Sequence, residues 1–131
     1  MVQSCLPFLM FQGQGAAALD FYLATFPVAR AERVERYGDG EAVPAGGLKA
    51  AQLLIAGQRI RLFDSPPVHD FTFTPSFSLF LECDSKDELR RLGETLAEGG
   101  NVMMPVDNYG FSRLFTWVSD RFGVSWQLNL A

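Results

Sequence analysis

Alternating apolar and polar positions predict strands along most of the chain. The segment Ser76–Cys83 is typical, because it places leucines on one face and Ser78, Phe80 and Glu82 on the other. The predicted strands are Ser4–Phe11, Ala29–Tyr37, Leu48–Ala56, Arg59–Asp64, Ser76–Cys83, Asn101–Val106, Ser112–Ser119 and Ser125–Leu130.

Apolar positions three or four residues apart predict two helices. The first covers Ala16–Phe26 and ends at Pro27, which cannot continue a helix. The second begins at Ser85, which forms an S-x-x-E capping box with Glu88, and ends before Gly99–Gly100. The predicted apolar stripes are Leu19, Leu23 and Phe26 in the first helix, and Leu89, Leu92 and Leu96 in the second.

The order of these elements repeats along the chain. Each half contains a strand, a helix and then three strands, at an offset of about 66 to 70 residues. A Pro-bounded connector, Ser65–Pro75, separates the two halves. We therefore predict an α+β fold of two βαβββ modules, residues 1–66 and 75–131, within a single domain. Each module is expected to form a curved mixed sheet with its helix on the outer face.

Charge and composition exclude several classes of function. The chain has 131 residues, is 48% hydrophobic and carries a net charge of −4. It lacks the basic patch of a nucleic-acid-binding protein and any apolar run long enough to span a membrane, so neither partner is expected. No signal peptide is recognised at the N-terminus, and Cys5 and Cys83 form no disulfide or metal motif. We expect a cytoplasmic protein with two reduced thiols.

Two short motifs admit a functional and a structural interpretation. Gly13-x-Gly15-x-x-Ala18 resembles a dinucleotide-binding fingerprint, with Glu35 near its usual acidic position. That fold needs parallel strands alternating with helices, so a glycine turn agrees better with the predicted order of elements. His69, beside Asp70, is either an acid–base group or a solvated loop histidine.

Candidate binding residues lie on strand faces directed away from the predicted helices. Arg61 and Gln127 occupy matching strands of the two modules, and an arginine in a partly apolar hollow suits an anionic or carbonyl group. A surface or interface position is the simpler explanation of Arg61. Glu82 is the best carboxylate candidate, because it shares its predicted face with Phe80 and Ser78. The aromatic residues Tyr109 and Trp117 are candidates for stacking on a flat ligand, although core or dimer packing also explains Trp117.

Several phrases together resemble a known superfamily. They are P-F-L-M-F at Pro7–Phe11, D-F-Y at Asp20–Tyr22, E-G-G-N-V-M-M-P at Glu98–Pro105, Y-G-F-S at Tyr109–Ser112 and D-R-F-G-V-S-W-Q-L at Asp120–Leu128. With the repeated βαβββ order, the chain resembles the vicinal-oxygen-chelate superfamily, which includes glyoxalase I and bleomycin-resistance proteins. Within it, the chain is most similar to the PhnB-like branch, often labelled demethylubiquinone 3-methyltransferase-like. The resemblance covers essentially the whole chain.

The resemblance implies where a metal would be held in this superfamily. Its metal enzymes carry ligands on the first and last strand of each module, positions that correspond here to Pro7, Arg61 or its neighbour Phe63, Ser78 and Gln127. Because these residues are not the usual His and Glu ligands, we expect no metal and no cofactor. The resemblance also implies a homodimer.

The expected function is the binding of a small apolar or aromatic ligand without turnover. The predicted ligand-binding residues are Arg61, Phe63, Ser78, Phe80, Tyr109, Trp117 and Gln127. One alternative is a metal-independent enzyme that uses Glu82 as the acid or base in the same hollow. Another is a metal enzyme with an unusual ligand set that includes water and Glu82.

Overall fold

The computed structural model describes residues 1–131, which form two compact units, Met1–Asp70 and Phe71–Ala131. Each unit contains one four-stranded mixed sheet and one helix on one of its faces. The α+β prediction of two βαβββ modules is therefore confirmed. Neither helix is long and apolar enough to cross a membrane.

The first unit builds its sheet in the order β1-β4-β3-β2. Its elements are β1 Phe8–Phe11, α1 Gly15–Thr25, β2 Arg30–Arg36, β3 Leu48–Ile55 and β4 Gln58–Asp64. Strand β1 runs parallel to β4, and the other neighbours are antiparallel. Leu19 and Tyr22 of α1 and Ile60 and Leu62 of β4 are at most 2% exposed, so the core lies between the helix and the sheet.

The second unit repeats this arrangement in the order β5-β8-β7-β6. Its elements are β5 Ser78–Glu82, α2 Lys86–Ala97, β6 Asn101–Asp107, β7 Leu114–Ser119 and β8 Ser125–Leu130. Strand β5 is parallel to β8, and the other pairs are antiparallel. Buried Leu89 and Leu96 of α2 and Trp126 and Leu128 of β8 form its core. As predicted, the hydroxyl of Ser85 caps α2 by accepting a hydrogen bond from the Glu88 N–H.

Five predicted strands are shorter in the structure, and three of these begin at least two residues later than predicted. The first begins at Phe8 rather than Ser4, and Pro7 before it, which has no N–H, contributes only its carbonyl to the Arg61 N–H. The fifth begins at Ser78 rather than Ser76, because Phe77 N–H bonds back to Thr74 in a turn. The seventh begins at Leu114 rather than Ser112, where the serine hydroxyl donates to the Leu114 carbonyl.

Two smaller details of the sequence interpretation were wrong. The turn between β3 and β4 is Ala56–Gly57 rather than Gly57–Gln58, and both turn residues have positive φ (47° and 85°), as a two-residue hairpin turn requires. In α1 the buried stripe includes Ala18 and Tyr22, whereas Leu23 is only half-buried. This shift arises because the whole helix is rich in apolar residues, so spacing alone does not define the buried face.

Each sheet has one face against its helix and one face directed away from it, the helix-free face. In the second unit Thr116 faces α2, since a Cβ atom added at Gly93 would lie 3.1 Å from the Thr116 Cγ2 atom. Side chains alternate along a strand, so Phe115 and Trp117 lie on the helix-free face. In the first unit buried Ile60 and Leu62 face α1, which leaves Arg61 and Phe63 on the helix-free face.

Candidate functional site

A hydroxyl pair lies on the helix-free face of the second sheet, where β5 and β8 begin. The Oγ atoms of Ser78 and Ser125 are 2.6 Å apart, on the paired strands β5 and β8. Gln127 Nε2 donates to Ser78 Oγ at 3.1 Å, and the Trp117 indole N–H donates to Ser125 Oγ at 2.8 Å. The structure thus brings three predicted site residues, Ser78, Trp117 and Gln127, into one hydrogen-bonded network. The sequence analysis missed Ser125, which completes it.

An acidic group adjoins this network on the same face. Both Glu82 carboxylate oxygens accept from Asn129 Nδ2, at 3.3 and 3.1 Å. Asn129 is 7% exposed, and its Oδ1 atom has no hydrogen-bond partner in the structure. Glu82 itself is exposed and has no cationic partner. The alternation of Ser125, Gln127 and Asn129 along β8 was a signal for Asn129 that the sequence analysis did not use.

Four aromatic rings cover the neighbouring part of this face. Phe115, which is 4% exposed, lies beneath Phe111 at 4.9 Å, Tyr109 at 6.1 Å and Phe80 at 6.5 Å between ring centroids. The outer three rings are open to solvent, with exposures of 38% for Tyr109, 54% for Phe80 and 63% for Phe111. We call these four residues the ring cluster. Phe80 and Tyr109 were predicted from the sequence, whereas Phe111 and Phe115 were not.

The two predicted ligand contacts of the first unit lie on its own helix-free face. The Arg61 guanidinium carbon is 5.9 Å from the centroid of the Phe8 ring, and Phe8 and Phe63 are also 5.9 Å apart between centroids. Arg61 is exposed and Phe63 is half-buried. Phe8 therefore holds both residues in one surface group, in which a cation lies over an aromatic ring.

The positions that correspond to the superfamily's metal ligands fall into two pairs. In the first unit Pro7 offers its carbonyl oxygen to the Arg61 N–H, and in the second Ser78 and Gln127 bond to each other. Across the chain, no group of three or more His, Cys, Asp or Glu side chains is arranged to hold a metal ion. A prolyl ring and a guanidinium offer no lone pair to a metal, so these donors do not fit the usual ligand set.

The comparison with protein families places nearly the whole chain in one family. The family model described as 3-demethylubiquinone-9 3-methyltransferase matches residues 3–129. The chain belongs to this family. It is thereby a PhnB-like member of the vicinal-oxygen-chelate superfamily, as the resemblance implied.

Individual proteins are similar to this chain over nearly its whole length. A solved structure of the Bacillus cereus PhnB protein, described as a 3-demethylubiquinone-9 3-methyltransferase, is 36% identical, with a TM-score of 0.92 over 98% of this chain and 100% of that one. Protein YjdN of Escherichia coli K12 is 26% identical over 95% of this chain and 92% of its own. The fosfomycin resistance protein FosX of Listeria monocytogenes is 13% identical, with a TM-score of 0.63 over 100% of this chain and 94% of that one, and shares the fold.

The glycine motif binds a carboxylate of the chain itself. Asp64, at the end of β4 and fully buried, accepts from the N–H groups of Gly13 at 3.0 Å and Gly15 at 2.8 Å, both through Oδ1. A nucleotide pyrophosphate would need the same N–H groups at the helix N-terminus. The motif in this family member is therefore a turn that fastens α1 to β4, in agreement with the structural interpretation.

The histidine lies in the segment after β4, and both cysteines are free thiols. The backbone N–H of His69 donates to Gln12 Oε1 at 2.9 Å, in the segment after β4. Cys5 is exposed and Cys83 is buried, and neither forms a disulfide. Burial, reinforced by the negative charges of Glu88, Glu82 and Asp84, raises the pKa of Cys83 to about 11. That thiol is therefore protonated at neutral pH and is a poor nucleophile.

Proposed function

We propose that the protein binds a small apolar or aromatic molecule on the helix-free face of its second sheet, without a metal ion. The ring cluster is the observation that carries this proposal. Exposed aromatic rings grouped around a buried one provide an apolar surface for a ligand. Aromatic pairs contribute about 0.5–1.5 kcal/mol beyond their buried area.

The polar residues beside the ring cluster would orient such a ligand. Ser78, Ser125 and Gln127 are already fixed by their mutual hydrogen bonds, so little side-chain order would be lost on binding. Glu82 offers carboxylate oxygens to a hydroxyl or N–H group of the ligand. A few fixed polar groups next to a larger apolar area are typical of small-molecule sites.

The test uses the two tryptophans as reporters of opposite faces of one sheet. Trp117 lies on the helix-free face, whereas Trp126 is fully buried on the face against α2. We expect titration with a neutral aromatic probe, 2-naphthol, to move the indole N–H resonance of Trp117 and to leave that of Trp126 in place. A titration in which neither resonance moves, or both move equally, would contradict binding at this face.

Matched phenylalanine variants identify the surface that binds the probe. Phe80→Ala and Phe111→Ala each remove a ring of the cluster, and either is expected to weaken 2-naphthol binding about tenfold, since burying a phenylalanine side chain is worth about 1.5–3 kcal/mol. Phe77→Ala is the control, because Phe77 is 60% exposed in the same unit and makes no ring contact with the cluster. Equal losses in all three variants would mean that the probe binds elsewhere.

Glu82 favours a second candidate function, metal-independent acid–base catalysis in the same place. Its exposed carboxylate is held by Asn129 next to the ring cluster, where a bound ligand would be within reach. Glu82→Gln preserves the shape and removes the base. If a substrate is found, this variant is expected to abolish turnover while binding persists, and unchanged turnover would exclude the role.

We propose four further properties of the protein together with the ligand site. We propose that Arg61 and Phe63 contact a ligand on the first unit, that both units belong to one domain, and that the protein acts in the cytoplasm as a homodimer. The free thiols support a reducing compartment, and the superfamily resemblance supports the dimer. Light scattering after size-exclusion chromatography tests the dimer, and cell fractionation tests the compartment.

A further inference from the structure

Two arginines on the helix-free face of the first sheet lack an acidic partner. Glu32 forms ion pairs with Arg30 at 3.4 Å and with Arg59 at 3.3 Å, so one carboxylate is shared between two guanidinium groups. Arg33 and Arg61 take part in no ion pair. This surface therefore holds an excess of positive charge, although the whole chain carries −4.

The two unpaired arginines line the same cleft. Its volume is about 270 Å³, and it is bounded by Arg33, Glu35, Ala50, Ala51, Gln52 and Arg61. Gln52 is the direct neighbour of Arg61 across the β3–β4 pair, so an amide and a guanidinium point to the same side of the sheet. Ala50 lies on the same side of β3 as Gln52, and its small side chain leaves the space open. A cleft of this size has room for a small polar group such as a carboxylate or phosphate.

A backbone irregularity brings Arg33 to this cleft. Arg33 has φ of 51°, a conformation that residues with a Cβ atom rarely adopt. It lies in a β-bulge, since Glu32 pairs with Gln52 and Glu35 pairs with Ala50, which leaves one extra residue on β2. A regular strand would alternate Glu32 and Val34 on this face. The bulge instead places both Arg33 and Glu35 at the cleft, and strained residues of this kind cluster at functional sites.

We propose that the cleft between Arg33 and Arg61 binds a small oxyanion, a carboxylate or phosphate group, with Gln52 as a further donor. Guanidinium groups donate in a planar fork that matches the oxygens of both groups. The Phe8 ring beneath Arg61 keeps that side chain in place and shields one of its faces from water. This site lies on a different sheet from the ring cluster and does not depend on the aromatic ligand proposed above.

Inorganic phosphate and acetate are the probes, titrated into the full chain at constant ionic strength. We expect saturable shifts of the backbone amide resonances of Ala50, Gln52 and Arg61. Arg61→Gln should weaken the binding of phosphate about tenfold, because a hydrogen bond to a charged group is worth about 1.5–3 kcal/mol. The absence of saturable shifts with both probes would overturn the proposal.

A matched arginine variant separates a defined site from diffuse attraction. Arg30→Gln removes the same charge from the same sheet, but Arg30 is outside the cleft and is paired with Glu32. We expect the affinity of this control for phosphate to be within about twofold of that of the wild-type protein. If Arg30→Gln weakens binding as much as Arg61→Gln does, the arginines attract anions only through the general field, and the proposed site is wrong.

Arg33→Gly tests the strained residue without weakening the fold. Glycine adopts positive φ easily, so we expect the urea midpoint to stay level or rise, while phosphate affinity falls about tenfold. Unchanged affinity in this variant would exclude Arg33 from the site. Glu35→Gln removes the acidic group that lines the cleft, so it should tighten the binding of phosphate. Weaker binding in this variant would indicate a cationic or zwitterionic ligand and would overturn the oxyanion assignment.

Discussion

Replacement of the buried carboxylate of Asp64 is expected to destabilise the first unit strongly. Its Oδ1 atom accepts from Gly13 and Gly15, and its Oδ2 atom accepts from the Leu48 N–H at 2.8 Å. These bonds join the start of α1 and the start of β3 to the end of β4, the strand that carries Arg61. A hydrogen bond to a charged acceptor contributes about 1.5–3 kcal/mol to the free energy of unfolding. The three bonds of this one side chain together therefore contribute several kcal/mol.

The expected magnitude follows from which bonds each variant retains. In Asp64→Asn, the remaining oxygen can still accept from Gly13 and Gly15, but an NH2 group then faces the Leu48 N–H, and both groups are donors. The loss of one charge-assisted bond and the unpaired buried donor together are expected to lower the free energy of unfolding by about 2–4 kcal/mol. Asp64→Ala leaves the buried N–H groups of Gly15 and Leu48 and the part-buried N–H of Gly13 without their acceptor. Its larger cost approaches the whole stability of an ordinary domain, about 5–15 kcal/mol. The asparagine variant is therefore the measurable one.

Urea unfolding followed by two signals is the assay. Far-UV circular dichroism reports on both units, whereas Trp117 and Trp126 report on the second unit alone. If both units unfold as one domain, Asp64→Asn shifts both transitions, and if they unfold separately, only part of the dichroism transition moves. Asp39→Asn is the control, because Asp39 is exposed in the loop before β3. A change in the free energy of unfolding below about 0.5 kcal/mol for Asp64→Asn, or an equal loss for Asp39→Asn, would refute the reasoning.

Two further predictions concern the second unit. Because the pKa of Cys83 is raised from an ordinary value of 9.0 to about 11, the folded state retains the thiol proton longer than the unfolded state. The free energy of unfolding should therefore fall as pH rises from about 9 to 11. Urea midpoints measured across this pH range should fall less steeply in Cys83→Ala than in the wild-type protein. An identical dependence on pH in the two proteins would contradict the raised pKa. Gly100→Ala would press a Cβ atom against the Ser119 carbonyl oxygen, so we expect the free energy of unfolding in urea to fall by about 1–3 kcal/mol. Gly38→Ala is the control, because its nearest contact is 4.0 Å away, and its free energy of unfolding should be close to that of the wild-type protein.

The repeated element order was readable from the sequence because each strand alternates against its own core. Ile60 and Leu62 in β4 and Trp126 and Leu128 in β8 are all buried, and alternation then directs Arg61 and Gln127 to the helix-free faces. The same rule placed Ser78, Phe80 and Glu82 together on β5. Strand ends were less predictable, since they depend on turns such as Thr74–Phe77 that form only when the neighbouring strand is in place.

The rest of the candidate sites depends on pairings that alternation does not encode. Phe111 lies outside the regular strands, and its contact with Phe115 is set by the chain path before β7. Arg33 was unpredictable for a different reason, because the bulge in β2 is defined by the register with β3. Apolar and polar residues alternate only weakly in the segment Ala29–Tyr37, and this is a trace of the bulge in the sequence. Pairing between strands, rather than the pattern within one strand, therefore determines which side chains meet.

The two sheets show how one architecture supports two different surfaces. Phe8 pairs with Arg61 in the first sheet, and Phe80 pairs with Gln127 at the matching place in the second. One step further along, Met10 and Phe63 correspond to Glu82 and Asn129, so an apolar pair matches an acid–amide pair. The core-facing neighbours remain apolar in both sheets because packing against a helix constrains them, whereas the helix-free faces carry no such constraint. The residues on the helix-free face of each sheet, and not the shared fold, therefore determine the chemistry of this protein.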